Sequence, residues 1–105
     1  LLVAIDAFSS PLTDRAAIVL PALTYGELEG TFTSFQGRVQ RVRSGVAPAA
    51  DGLPVYRIAQ EIGRRMGLPA ARAGAQETFS ALAAEVPAFK GLTYSKLGEK
   101  GAAIQ

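Results

Sequence analysis

The sequence predicts a small α/β fold with two short parallel strands, a β-hairpin and two to three helices. Three observations carry that prediction. Two uninterrupted apolar runs, Leu1–Ile5 and Ile18–Leu20, stand on either side of a short polar segment. A stretch rich in β-branched and aromatic residues, Thr31 to Val42, folds back on itself around Gly37. Beyond residue 54 the apolar residues change from runs to helical spacing.

In order, Leu1–Ile5 is a short apolar run of the kind that forms a strand buried on both faces, and Asp6 stands at its carboxyl end. Ser9 or Ser10 can cap a helical turn with Pro11 at its first position. Ile18–Leu20 is the second strand, and Pro21, which lacks an N–H for the ladder, is expected to stop it. A strand, a short crossover and another apolar strand make a βαβ-like edge of a parallel sheet. Two strands alone make a marginal sheet, so further strands are expected from chain outside this sequence.

The stretch Ile18–Arg43 organises the remainder. Gly26 and Gly30 bracket a turn-prone acidic segment holding Glu27 and Glu29. Thr31–Ser34 and Arg38–Val42 are extended, and the connection Phe35-Gln36-Gly37 closes them into a hairpin. The Phe32 ring is expected in the core. Ser44–Leu53, with Gly45, Pro48 and Gly52, is a loop.

Pro54 opens the clearest helix, with Val55, Ile58, Ala59, Ile62 and Met66 on one stripe. Arg57, Gln60, Glu61, Arg64 and Arg65 cover the opposite face. Gly67 suits a left-handed cap and Pro69 prevents continuation. Ala75–Val86 is a second helix, with Phe79, Leu82, Ala83 and Val86 inward, ended by Pro87. Phe89–Leu92 is a turn, Thr93 caps a single helical turn Tyr94–Leu97, and Glu99–Gln105 is a tail that orders only if something holds it. Residues 1–43 are thus expected as a strand, turn and hairpin part, and 54–97 as a helical part, of one small domain or of a piece of a larger multi-domain subunit.

Composition narrows the chemistry. The 105 residues suffice for one small domain, and 49% hydrophobic with 19% charged residues is globular composition. Eleven Lys and Arg against nine Asp and Glu leave a net charge of +2, too mild for a nucleic-acid footprint. With no cysteine and no histidine, the sequence offers no disulfide, no thiolate cluster, no Cys/His zinc site and no histidine base. Leu1–Ile5 is too short to span a bilayer and lacks the basic flank of a signal peptide. A first residue other than methionine, at a strand already under way, reads as a piece of a longer polypeptide.

Glu27 and Glu29 are a candidate carboxylate pair, but no base or metal ligand stands near them in sequence. The favoured reading is that one accepts backbone N–H groups or pairs with Arg38. Arg38, Arg41 and Arg43, beside Phe32 and Phe35, are too few to follow a nucleic acid and read as a solvated strand or an internal ion pair. Gly30-Thr31 and Gly37-Arg38 form neither G-x-G-x-x-G nor a P-loop. Thr24, Thr31, Thr33 and Ser34 lack a base to activate them. Lys90, Lys96 and Lys100 are surface residues. No catalytic, cofactor-binding or metal-binding residue is assigned from the sequence.

The string AIVLPALTYGELEGTFTSFQGRVQRV, beginning at Ala17, resembles the signature of the molybdopterin oxidoreductase superfamily: A-D-V-V-L-P-A, then E-x-x-G-T-F-T-N, then E-G-R-V-Q or E-R-R-V-Q. Val46-Ala47-Pro48, the helix Val55–Gly67 and VPAFKGLTYSKLGEKGAAIQ are similar to the segment after that signature in relatives. The superfamily includes formate dehydrogenases and nitrate reductases. It also includes the G subunit, the large iron–sulfur subunit, of bacterial NADH:quinone oxidoreductase (respiratory complex I). Ala17, Ser34 and Gln36 replace the usual aspartate, asparagine and glutamate. The form Gln36-Gly37-Arg38 is nearer to that of the G subunit, which in general carries no molybdopterin.

The resemblance implies the end of a Rossmann-like layer in the C-terminal part of such a subunit, at the cytoplasmic face of the bacterial inner membrane. It implies a structural role supporting electron transfer from NADH to quinone. Partners would be the rest of the subunit and other complex I subunits, with no nucleic acid and no membrane insertion. The parent's iron–sulfur clusters would be held elsewhere, and this piece would hold no cofactor. Under the alternative, a catalytic enzyme such as a formate dehydrogenase alpha subunit, the Gly30–Arg38 loop would lie near a molybdopterin.

Overall fold

A computed structural model describes residues 1–69 and 74–105. The fold is a small α/β fragment. Its strands are β1 (Val3–Asp6), β2 (Ile18–Pro21), β3 (Gly30–Thr33), β4 (Arg38–Val42) and β5 (Ala102–Ala103). Its helices are α1 (Pro11–Arg15), α2 (Val55–Arg65), α3 (Ala75–Glu85) and α4 (Tyr94–Leu97), with a 3-10 turn at Pro87–Phe89. The chain divides into two compact units, Leu1–Leu28 with Ser44–Ala71, and Glu29–Arg43 with Arg72–Gln105.

In the first unit β1 and β2 pair in parallel, Val3 opposite Ile18 through Asp6 opposite Pro21. Ser10, not Ser9, caps the crossover helix α1. Its hydroxyl accepts from Thr13 N–H while Thr13 Oγ1 accepts from Ser10 N–H, a reciprocal capping box with Pro11 in the first turn. β2 ends at Pro21, one residue past the expected Leu20. The chain continues to Ala22, which makes a parallel bridge to Leu53, and the Ala22 N–H donates to the Asp6 carbonyl. A proline at a strand end sacrifices one ladder donor only, and here its carbonyl still accepts from Leu53 N–H.

The expected full burial of the first strand does not hold. Ala4 is buried, but Val3, Ile5, Ile18 and Val19 are between 41% and 47% exposed. Two strands cover too little of each other's faces, and α1, a helix of five residues, is too short to cover the rest. On α2, Ile58 is buried, whereas Val55, Ile62 and Met66 of the predicted stripe remain substantially exposed. The periodicity is right and the burial is incomplete.

The second unit holds the core. β3 and β4 form the predicted hairpin, Gly30 opposite Val42 through Thr33 opposite Val39. Gly37 takes a positive φ of 74° in the connection, a conformation that costs glycine least. Val39 is fully buried and Leu97 is 1% exposed, and they pack with Phe79, Leu92 and Tyr94. Phe79 meets Phe89 edge-on at 6.3 Å and Tyr94 at 5.7 Å, the separations at which aromatic pairs attract beyond simple burial.

Phe32, expected in this core, is 51% exposed instead. Alternation explains it. Phe32 pairs with the exposed Gln40, whereas the adjacent rung pairs Thr33 with the buried Val39, and adjacent rungs point to opposite faces of the sheet, so Phe32 lies on the face opposite Val39. The tail is also held. β5 pairs with β4, Ile104 N–H donates to the Gly37 carbonyl and Gln105 N–H to the Ala88 carbonyl.

Candidate functional site

The carboxyl ends of parallel strands are where open α/β sheets offer ligands a crevice, because the connecting loops diverge there. In the first unit that place is a recess of about 340 Å³ lined by Asp6, Phe8, Ser9, Thr13, Asp14 and Pro21. Asp6, the last residue of β1, accepts from Phe8 N–H at 3.1 Å and so shapes the turn that forms one wall. Thr13, a buried polar residue, donates its hydroxyl to the Ser10 carbonyl at 2.9 Å. The lining pairs two carboxylates with hydroxyls beside the exposed Phe8 ring. Such a set can accept and donate hydrogen bonds to an organic ligand. Sequence reasoning singled out none of these side chains as a site residue; Asp6 at a strand's carboxyl end was the available signal.

A neighbouring recess of about 180 Å³ includes Ala7, Leu23, Thr24, Glu27 and Ala49. Glu27 is fully committed here. One carboxylate oxygen accepts from Thr24 N–H at 2.9 Å and from the Thr24 hydroxyl at 2.8 Å, and the other from Ala49 N–H at 2.7 Å. The backbone donors of Thr24 and Ala49, then the Thr24 hydroxyl, hold its carboxyl below the usual carboxylate range. The expected backbone-accepting role therefore falls to Glu27. Its work is to tie a turn to a loop.

Glu29 does something else. It pairs at 3.5 Å with Arg41, not with Arg38 as the sequence suggested. The register explains the difference, because Arg38 lies at the far end of β4, where its guanidinium donates to the carbonyls of Lys100 and Gly101 at 3.2 Å each. The Arg41 guanidinium also lies 4.3 Å over the Tyr94 ring, a cation–π contact that no sequence pattern announced. The two glutamates thus belong to different packing tasks. They do not form a carboxylate pair.

On α2, Glu61 accepts from Arg64 at 2.6 Å and Arg65 at 3.1 Å, the last-turn arginines anticipated from the sequence. The Arg64 hydrogen bond lowers the Glu61 pKa to about 2. Beside it a largely apolar groove of about 380 Å³ runs between Leu20, Leu53, Ile58 and Ile62. Thr31 and Thr33 lie in the β3 ladder, and the Ser34 hydroxyl accepts from Arg38 N–H inside the hairpin. Lys96 donates to the Gly91 carbonyl at 2.7 Å, closing the α4 turn. Among the described residues no three His, Cys, Asp or Glu side chains gather to hold a metal, and no helix is long and apolar enough to cross a membrane.

Residues 1–65 match the molybdopterin oxidoreductase family model. The chain is 37% identical over 102 residues to the NADH-quinone oxidoreductase G 2 subunit of Rhizobium meliloti, covering 97% of this chain and 12% of that protein. It is 36% identical over 96 residues to formate dehydrogenase H of Escherichia coli, covering 91% and 13%. It is 34% identical over 98 residues to F420-dependent formate dehydrogenase 2 subunit alpha of Methanococcus maripaludis, covering 91% and 14%. The chain therefore spans about an eighth of the length of these relatives.

Proposed function

From the premise that this chain belongs to the molybdopterin oxidoreductase family, we propose that it is a non-catalytic structural segment of a much longer subunit. That subunit is the large iron–sulfur subunit of an NADH:quinone oxidoreductase, which passes electrons from NADH toward quinone at the cytoplasmic face of the membrane. The observation that carries this reading is the string Glu29-Gly30-Thr31-Phe32-Thr33-Ser34, followed by Gln36-Gly37-Arg38-Val39-Gln40, in a chain with no cysteine and no histidine. The geometry supports it, since Glu27, Glu29, Arg38 and Arg41 are each engaged in holding backbone or ring together. The iron–sulfur clusters would then sit elsewhere in the subunit, and its partners would be the other subunits of the complex.

One observation favours a second reading. The recess at the carboxyl ends of β1 and β2, with Asp6, Ser9 and Thr13 at its lining, is suited to an organic ligand. In a catalytic molybdopterin-dependent formate dehydrogenase, those residues would hold part of the cofactor, which supplies the redox chemistry. Metal analysis of the purified parent subunit separates the readings. Iron with no molybdenum or tungsten is expected. Stoichiometric molybdenum or tungsten overturns the first reading in favour of the second.

A further inference from the structure

We draw no further inference here: the strongest candidate, the apolar groove between β2 and α2 lined by Leu20, Leu53, Ile58 and Ile62, carries nothing, because nothing in the structure shows what covers it.

Discussion

At the scale of single residues, burial decides which side chains matter, and it reverses one expectation. Phe32→Ala is expected to cost less than about 1 kcal/mol, because a half-exposed ring has already kept part of its contact with water. Leu97→Ala, at a position 1% exposed, should cost about 2–5 kcal/mol. Denaturant titration of both variants checks the order, and a larger loss at Phe32 contradicts the packing described. The carboxylates add a pH dependence of known sign. Glu61 and Glu27 both have folded pKa values below their ordinary ones, so their contributions are fully present above the unfolded value. The contributions fade as acid protonates them, so the denaturation midpoint should fall between about pH 5 and about pH 2. Glu27→Gln should flatten that fall and speed exchange at the Ala49 amide, whereas a Glu29→Gln control should leave Ala49 unchanged.

At the scale of elements, local chemistry was legible in the sequence and register was not. The hairpin could be read from its β-branched residues and Gly37, and α2 from its 3.6-residue stripe and final arginines. The α1 start followed from a hydroxyl before proline. The sequence did not show which hairpin side chains turn inward, because Phe32 and Val39 are both good strand residues and only the cross-strand partners separate them. It did not show β5 either, since two alanines carry almost no strand signal and the pairing partner lies far back in the chain. The recess beside Asp6 has no sequence signature for a similar reason, as its lining is gathered from strand, turn and helix rather than from a motif. The hidden strand makes its own prediction. A Cβ on Gly101, which has φ of 72°, would overlap the Val39 carbonyl. Gly101→Ala should therefore cost about 1–3 kcal/mol and loosen β5, seen as faster exchange at the Ile104 amide.

At the scale of the whole molecule, the two units differ in how much they bury. The aromatic and aliphatic core lies in the second, around Val39 and Leu97, whereas the first buries chiefly Ala4 and Ile58. The slowest-exchanging amides should therefore be those of β4 and α4, and β1 and α2 should open first on heating. Uniform protection across both units would contradict that ranking. The second unit is also discontinuous: its hairpin, Glu29–Arg43, is separated from its helices and from β5 by the Ser44–Ala71 stretch. Arg38 and its acceptor at Gly101 are 63 positions apart. On a ribosome, then, Val39 emerges well before Phe79, Tyr94 or Leu97 exists to shelter it. Until the last turn of helix is synthesised, the hairpin waits in water with its most apolar side uncovered, within reach of chaperones and of neighbouring nascent chains.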